Sequence, residues 1–218
     1  MNSLEDSAGP YAGLTKRRVE ALTDGIFGTV MTVLGLSLSV PFLGPAALGE
    51  RLGTQQLGPL LEELLVYALG FVFLGVYWVG HHYAFEFLRH TDRTFIWLNN
   101  IFLMFIGLLP LTTALIGRYF LEQLPLIFYG LNQIAISLSL YATFRHATKD
   151  RHLREDIPYE RVVRIGTQRI LSGPVIASVS IGFSFVDPII SLLLFVAVPV
   201  AYALPSRIDI FFRAARKA

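Results

Sequence analysis

Six stretches of the chain, at residues 25–49, 64–85, 94–117, 123–144, 170–186 and 188–206, contain no Asp, Glu, Lys or Arg. Each is close to the roughly 20 residues that an α-helix needs to cross the hydrocarbon of a bilayer. Six such runs leave no amphipathic elements to wrap a water-soluble exterior. Composition agrees, since 54% of the 218 residues are apolar and 16% are charged, against about 25% charged in an average soluble domain. The chain reads as an all-α membrane protein with six transmembrane helices. A cleaved signal peptide does not explain the first run, which exceeds an h-region of about 7–15 residues and starts beside Asp24.

Lys and Arg collect on the cytoplasmic side of short loops. Lys16, Arg17 and Arg18 precede the first run, and Arg89 and Arg93 separate the second from the third. Seven basic residues from Arg145 to Arg169 separate the fourth from the fifth, and Arg207, Arg213, Arg216 and Lys217 follow the sixth. Only Arg51 and Arg118 fall on the opposite side, so both termini are expected in the cytoplasm. The basic balance then reports contact with anionic lipid headgroups, with no nucleic-acid partner expected. The absence of cysteine excludes disulfides, thiolate nucleophiles and zinc-thiolate sites.

Residues 1–15 read as a flexible cytoplasmic tail, 16–212 as a single six-helix transmembrane domain and 213–218 as a cytoplasmic C-terminal tail. The mixed charges of 145–169 suggest a short interfacial helix. Asp187-Pro188 reads as a tight turn between the last two helices. Pro110, Pro199 and Pro205 are expected to kink their spans.

The first helix is unlike the others. At 100° per residue, Gly25, Gly28, Thr29, Thr32, Gly35, Leu36 and Ser39 share one sector, and Ile26, Phe27, Val30, Met31, Val33 and Leu34 fill the rest. Small residues at such spacing allow close helix packing. They also suit a pore wall, with hydroxyls from Thr29, Thr32 and Ser39 and an apolar constriction at Leu36. A second cluster follows from topology: Arg18 and Asp24, His81 and His82, and Trp97, Asn99 and Asn100 all fall at cytoplasmic helix ends. They form either a belt at the headgroups or a buried network satisfying Asp24.

Chemistry of other kinds is not indicated. There is no H-E-x-x-H, G-x-S-x-G, Walker or Rossmann signature. The adjacent His81 and His82 diverge by about 100° on a helix, unlike the i, i+4 pairs that chelate metals. No enzyme, cofactor or metal site is expected. The spans carry no charge at mid-depth, which favours a passive path over a proton-coupled transporter. Gly75-Val76-Tyr77 and Tyr129-Gly130 look like fragments of a T-V-G-Y-G filter, but each lies inside a full-length span.

Arg18-Val19-Glu20-Ala21-Leu22-Thr23-Asp24-Gly25, followed by Thr32 and Pro41, resembles the R-x-x-x-F-S-D-G signature that opens the first helix of the transmembrane protein 175 family of potassium channels. Trp78-Val79-Gly80-His81-His82, Trp97-Leu98-Asn99-Asn100 and Leu108-Leu109-Pro110-Leu111-Thr112-Thr113-Ala114-Leu115 resemble its second and third helices. The likeness covers about residues 15–117, and departs at Leu22 and Thr23, where the family more often has Phe and Ser.

The resemblance implies a potassium-permeable channel without the usual filter. A single six-helix repeat implies a prokaryotic homotetramer in the cell membrane, with helix one of each subunit lining a central pore. K+ is then the permeant ion. The family's bulky constriction layers correspond to Thr29 and Leu36, and its potassium-linked hydroxyl to Thr32. Its polar network corresponds to Arg18, Asp24, His81 and Asn99. Gly25, Gly28, Thr29, Thr32, Leu36 and Ser39 are the expected pore lining. Arg18, Asp24, His81, His82, Trp97 and Asn99 are the expected support, with helices four to six packed outside as lipid-facing support. A secondary transporter and a proton-permeable pore are the competing readings.

Overall fold

The computed structural model describes residues 16–37, 54–86, 91–149 and 159–203. The expected tails, 1–15 and 213–218, lie outside the described residues, as do Ser39 and Pro205. Among the described residues six helices follow in order: α1 (Lys16–Leu36), α2 (Thr54–Glu86), α3 (Arg93–Tyr119), α4 (Gln123–Lys149), α5 (Tyr159–Ser184) and α6 (Pro188–Ala203). The expected all-helical fold is therefore observed.

Four of the described segments are long and apolar enough to cross a membrane: Lys16–Leu36, Glu63–His82, Arg93–Tyr119 and Gln123–Thr148. Pro188–Pro199 is a shorter apolar helix. The expected interfacial helix at 145–169 is not a separate element among the described residues. Residues 145–149 end α4, and 159–169 are the first turns of α5. Charge does not interrupt a helical backbone, because a long side chain such as the exposed Arg164 can lie along the helix with its head in water.

Helix starts follow local chemistry. Asp92, with φ −112° and ψ 175°, accepts a 2.7 Å bond from Phe95 N at the start of α3. The same carboxylate meets His146 Nε2 at 2.9 Å, tying this cap to the end of α4. Asp187 accepts from Ile189 N at 2.7 Å with Pro188 as the first helical residue, a position where the missing N–H costs nothing. The tight turn expected at Asp187-Pro188 is this cap. Pro110, Pro174 and Pro199 all lie inside helices, and Pro174 was not among the expected kink positions.

The most extensive packing is of α4 against α3 and α5, with α6 against α5, α2 bridging to α6, and α1 laid chiefly on α2 and α3. Within the subunit α4 is thus central, contrary to the expected lipid-facing role. Of its spanning window 56% is buried, against 28% for α1. The reason is polar: Asn132, Gln133, Ser137, Ser139 and Thr143 are buried around α4. The Tyr77 hydroxyl donates to Gln133 Oε1 at 2.7 Å, and Asn132 Nδ2 reaches Thr112 Oγ1 at 3.4 Å. Such groups are costly in lipid and turn a helix inward.

The filter-like fragments are absorbed by this packing. Tyr77 is held by α4, and Gly130 lets α4 meet α5 and α6. A Cβ at Gly130 would lie 2.5 Å from Ile181 Cγ1 and 3.0 Å from Phe195 Cζ. Gly130→Ala should therefore destabilise by about 1–3 kcal/mol through overpacking, read as a lower thermal midpoint in detergent. Gly107, which has nothing within 4 Å of its Cβ position, is the control; its Ala variant should melt no lower than the parent.

Candidate functional site

Buried positions on α1 are Val19, Thr23, Phe27, Val30 and Leu34. Steps of three and four residues put them on one stripe. Phe27 meets Phe102 of α3 with centroids 6.0 Å apart. Val19 joins Phe85, Phe95 and Ala147 in a small apolar cluster where α1, α2, α3 and α4 come together. This stripe fixes which side of α1 its own chain covers.

The opposite side is open. Gly25, Gly28, Thr29, Thr32 and Leu36 are all exposed in the subunit, Leu36 by 79%. No atom lies within 4 Å of a Cβ placed at Gly25 or Gly28. Close packing inside the subunit therefore does not require these glycines, whereas Gly35, the other glycine of the sector, faces the Tyr67 ring at 3.6 Å.

The hydroxyls on this face are oriented. Thr29 Oγ1 donates to Gly25 O and Thr32 Oγ1 to Gly28 O, both at 2.8 Å. A hydroxyl has one proton and two lone pairs. With each proton engaged by the helix, lone pairs remain to point outward, one turn apart. The open face is thus an acceptor surface, which is the polarity a cation requires.

Behind α1 lies the polar cluster. His81 Nε2 and Asn99 Oδ1 are 2.8 Å apart, and Asn99 Nδ2 donates to Thr23 Oγ1 at 3.1 Å. All three side chains are buried. With the Asn99 amide donating to Thr23, its oxygen accepts, so His81 Nε2 carries the proton. The His81 ring stacks on Phe102 at 5.4 Å, 4° from parallel, with Phe85 at 4.3 Å. Beside this triad, Trp78 Nε1 donates to Asp24 Oδ1 at 2.8 Å.

The structure brings together Asp24, His81 and Asn99 in this region, with His82 at its edge, but not Arg18 or Trp97. Arg18 is exposed, and Trp97 is exposed by 59% on the far side of α3. His82 is exposed and stacks on Trp78 at 5.6 Å. Two participants were missed, Thr23 and Trp78. Their signals were present: Thr23 falls four residues from both Val19 and Phe27, and Trp78 falls one turn before His81 and His82. Thr23 points almost opposite Thr32, since nine residues at 100° leave them about 180° apart. Anchoring Thr23 inward therefore turns the Thr32 face outward.

A groove of about 760 Å³ runs between α1 and α2. Asp24, Phe27, Gly28 and Met31 line one wall, Phe71, Val72, Gly75 and Val79 the other, and Arg169 of α5 contributes a cation.

Comparison with known proteins bears on the family and the fold. The family model described as endosomal/lysosomal potassium channel TMEM175 matches residues 18–110, which hold nearly all of α1, all of α2, most of α3 and the polar cluster. A potassium channel of Streptomyces collinus is 32% identical over 178 residues, covering 78% of this chain and 82% of that one. The crystal structure of a lysosomal potassium-selective channel TMEM175 homolog from Chamaesiphon minutus superposes with a TM-score of 0.74 at 26% identity, covering 87% of this chain and 96% of that one. The human endosomal/lysosomal proton channel TMEM175 is 35% identical over 104 residues, but this chain spans only 20% of its length.

Proposed function

Because the chain belongs to the TMEM175 family of ion channels, we propose that it is a potassium-permeable channel whose pore is lined by α1 of each of four subunits. The single observation that carries this reading is the face of Gly25, Gly28, Thr29, Thr32 and Leu36. It is uncovered by its own chain and carries outward hydroxyl lone pairs on an apolar helix. Facing lipid, such a stripe would be idle; facing copies of itself, it can replace part of the hydration shell of a cation. Leu36, with Ser39 beyond it in sequence, supplies the constriction that resists wetting.

Conduction on this reading is passive and needs no T-V-G-Y-G carbonyl cage. The Thr23, Asn99 and His81 bonds hold α1 at its rotation, and Asp24 with Trp78 holds its position along α2. All six helices cross the membrane with both termini cytoplasmic, in a multi-pass protein of a prokaryotic cell membrane. Arg164 and Arg169 then lie toward the inner headgroups, where anionic lipid favours them.

A proton-permeable pore is the second reading, favoured by the vertebrate relatives that carry the name proton channel. Hydroxyls can relay protons as well as coordinate cations. Purified protein in liposomes separates the readings through reversal potentials in potassium, sodium and proton gradients. A reversal that follows potassium supports the first, and one that follows protons supports the second. No current at all, or saturable flux coupled to a second ion, sinks both.

A further inference from the structure

The interior of the subunit holds buried polar atoms that lack partners. Tyr129, Gln133 and Ser137 follow one another at intervals of four residues on α4, so they share one face. All three are buried, and that face looks toward α2 and α6. Tyr77 of α2 meets Gln133 Oε1 at 2.7 Å and Ser137 Oγ at 3.1 Å. The Tyr129 ring meets Phe73 of α2 and Phe195 of α6 edge-on, with centroids 5.9 Å and 5.1 Å apart.

A hydroxyl has one proton to give. Tyr77 gives its proton to Gln133 Oε1, so the proton between Tyr77 and Ser137 comes from Ser137. Gln133 also faces Tyr129, yet neither Gln133 Nε2 nor the Tyr129 hydroxyl makes a hydrogen bond. Ser191 lies on α6 one turn before Phe195, is fully buried, and its Oγ has no partner either. Three unpaired polar groups thus fall where α4 and α6 meet. In the apolar layer of a bilayer such groups are costly unless something small completes them.

The chemistry of the three groups selects what that is. The Gln133 N–H repels a cation, and the uncharged runs of α4 and α6 carry no basic residue to hold an anion. Water accepts from an amide or a hydroxyl and donates to a hydroxyl, and a buried water typically makes about three hydrogen bonds. We infer that each subunit binds ordered water at the α4–α6 seam, held by the Tyr129 hydroxyl, Gln133 Nε2 and Ser191 Oγ. The site lies inside one subunit rather than on the open face of α1, and it does not depend on which ion the pore carries. It lets α4 keep a polar face at the centre of a membrane-embedded bundle.

Radiolytic hydroxyl labelling of the full chain in nanodiscs tests this. An X-ray pulse forms hydroxyl radicals from bound water in place, so a buried side chain beside that water is oxidised and one in a dry setting is not. With rates normalised to intrinsic reactivity and read residue by residue, Tyr129 should be labelled several times faster than Ile106, which is buried among apolar side chains. Labelling of Tyr129 no faster than that of Ile106 overturns the inference. Gln133→Leu should slow the labelling of Tyr129, and labelling unchanged by it overturns the site as described. Thermal unfolding of Tyr129→Phe is the second readout, since phenylalanine keeps the ring and both edge contacts. Its midpoint should fall, because the water loses a partner. A midpoint that rises means that the hydroxyl was an orphan, which overturns the inference. A lower midpoint with Tyr129 unlabelled means that the Gln133 amide turns to bond Tyr129 directly, and overturns it too.

Discussion

Thr32→Val should lower potassium flux in proteoliposomes about tenfold or more, with protein yield and oligomer size unchanged. Valine keeps the shape of threonine and removes only the oxygen. In the subunit that oxygen donates its proton to Gly28 O at 2.8 Å and is exposed, so what the substitution takes from the open face is an acceptor. A hydrogen bond to a charged group is worth about 1.5–3 kcal/mol, and about 1.4 kcal/mol is a factor of ten in rate. Thr32→Ser, which retains the hydroxyl, should keep most of the flux. Equal flux in parent and Thr32→Val would remove the hydroxyl from the conduction path. Leu36 provides the complement, since Leu36→Ala widens an apolar ring and should raise flux while weakening ion preference.

Asn99→Leu should lower both the stability of the protein and its flux. Asn99 is fully buried and bridges His81 of α2 to Thr23 of α1. Leucine matches its size but strands the His81 Nε2 proton and the Thr23 hydroxyl. A buried orphan costs about 1–3 kcal/mol in soluble proteins, whereas hydrogen bonds measured between membrane helices average about 0.6 kcal/mol. Two orphans in this setting should cost about 1–3 kcal/mol together, seen as a lower thermal midpoint of the solubilised protein. Because the Thr23 bond sets the rotation of α1, flux should fall as well. Trp97→Leu, two positions earlier on an exposed face, should alter neither. If Trp97→Leu proves as harmful as Asn99→Leu, the cluster does not act through the bonds described.

How far the sequence reached differs between helices. For α1 the sector of small and hydroxylated residues follows from residue spacing alone, and Val19, Thr23, Phe27, Val30 and Leu34 define its buried opposite side. Val33 shows the limit, being bulky by sequence yet 47% exposed. For α4 the polar residues Asn132, Gln133 and Ser137 are plain in the sequence but mark no single face, so its central place was not legible. Its exposed residues, Leu124, Phe128, Leu131 and Leu138, are as apolar as its buried ones, so hydropathy leaves no stripe to read. By depth in the sequence, His81, Asn99 and Arg18 are the expected partners for Asp24. Only the structure gives Trp78 the bond, at 2.8 Å.

The sequence by itself determined the all-helical class, the family, and the contrast between the two sides of α1. These depend on length, hydropathy and the angle between residues of one helix, which 3.6 residues per turn makes a local property. The tertiary structure decided which polar residues meet: Thr23 with Asn99, Trp78 with Asp24, and Arg18 with neither. Those pairings depend on how far each helix is rotated and shifted against its neighbours. That setting comes from packing many apolar side chains at once, and no single helix contains it.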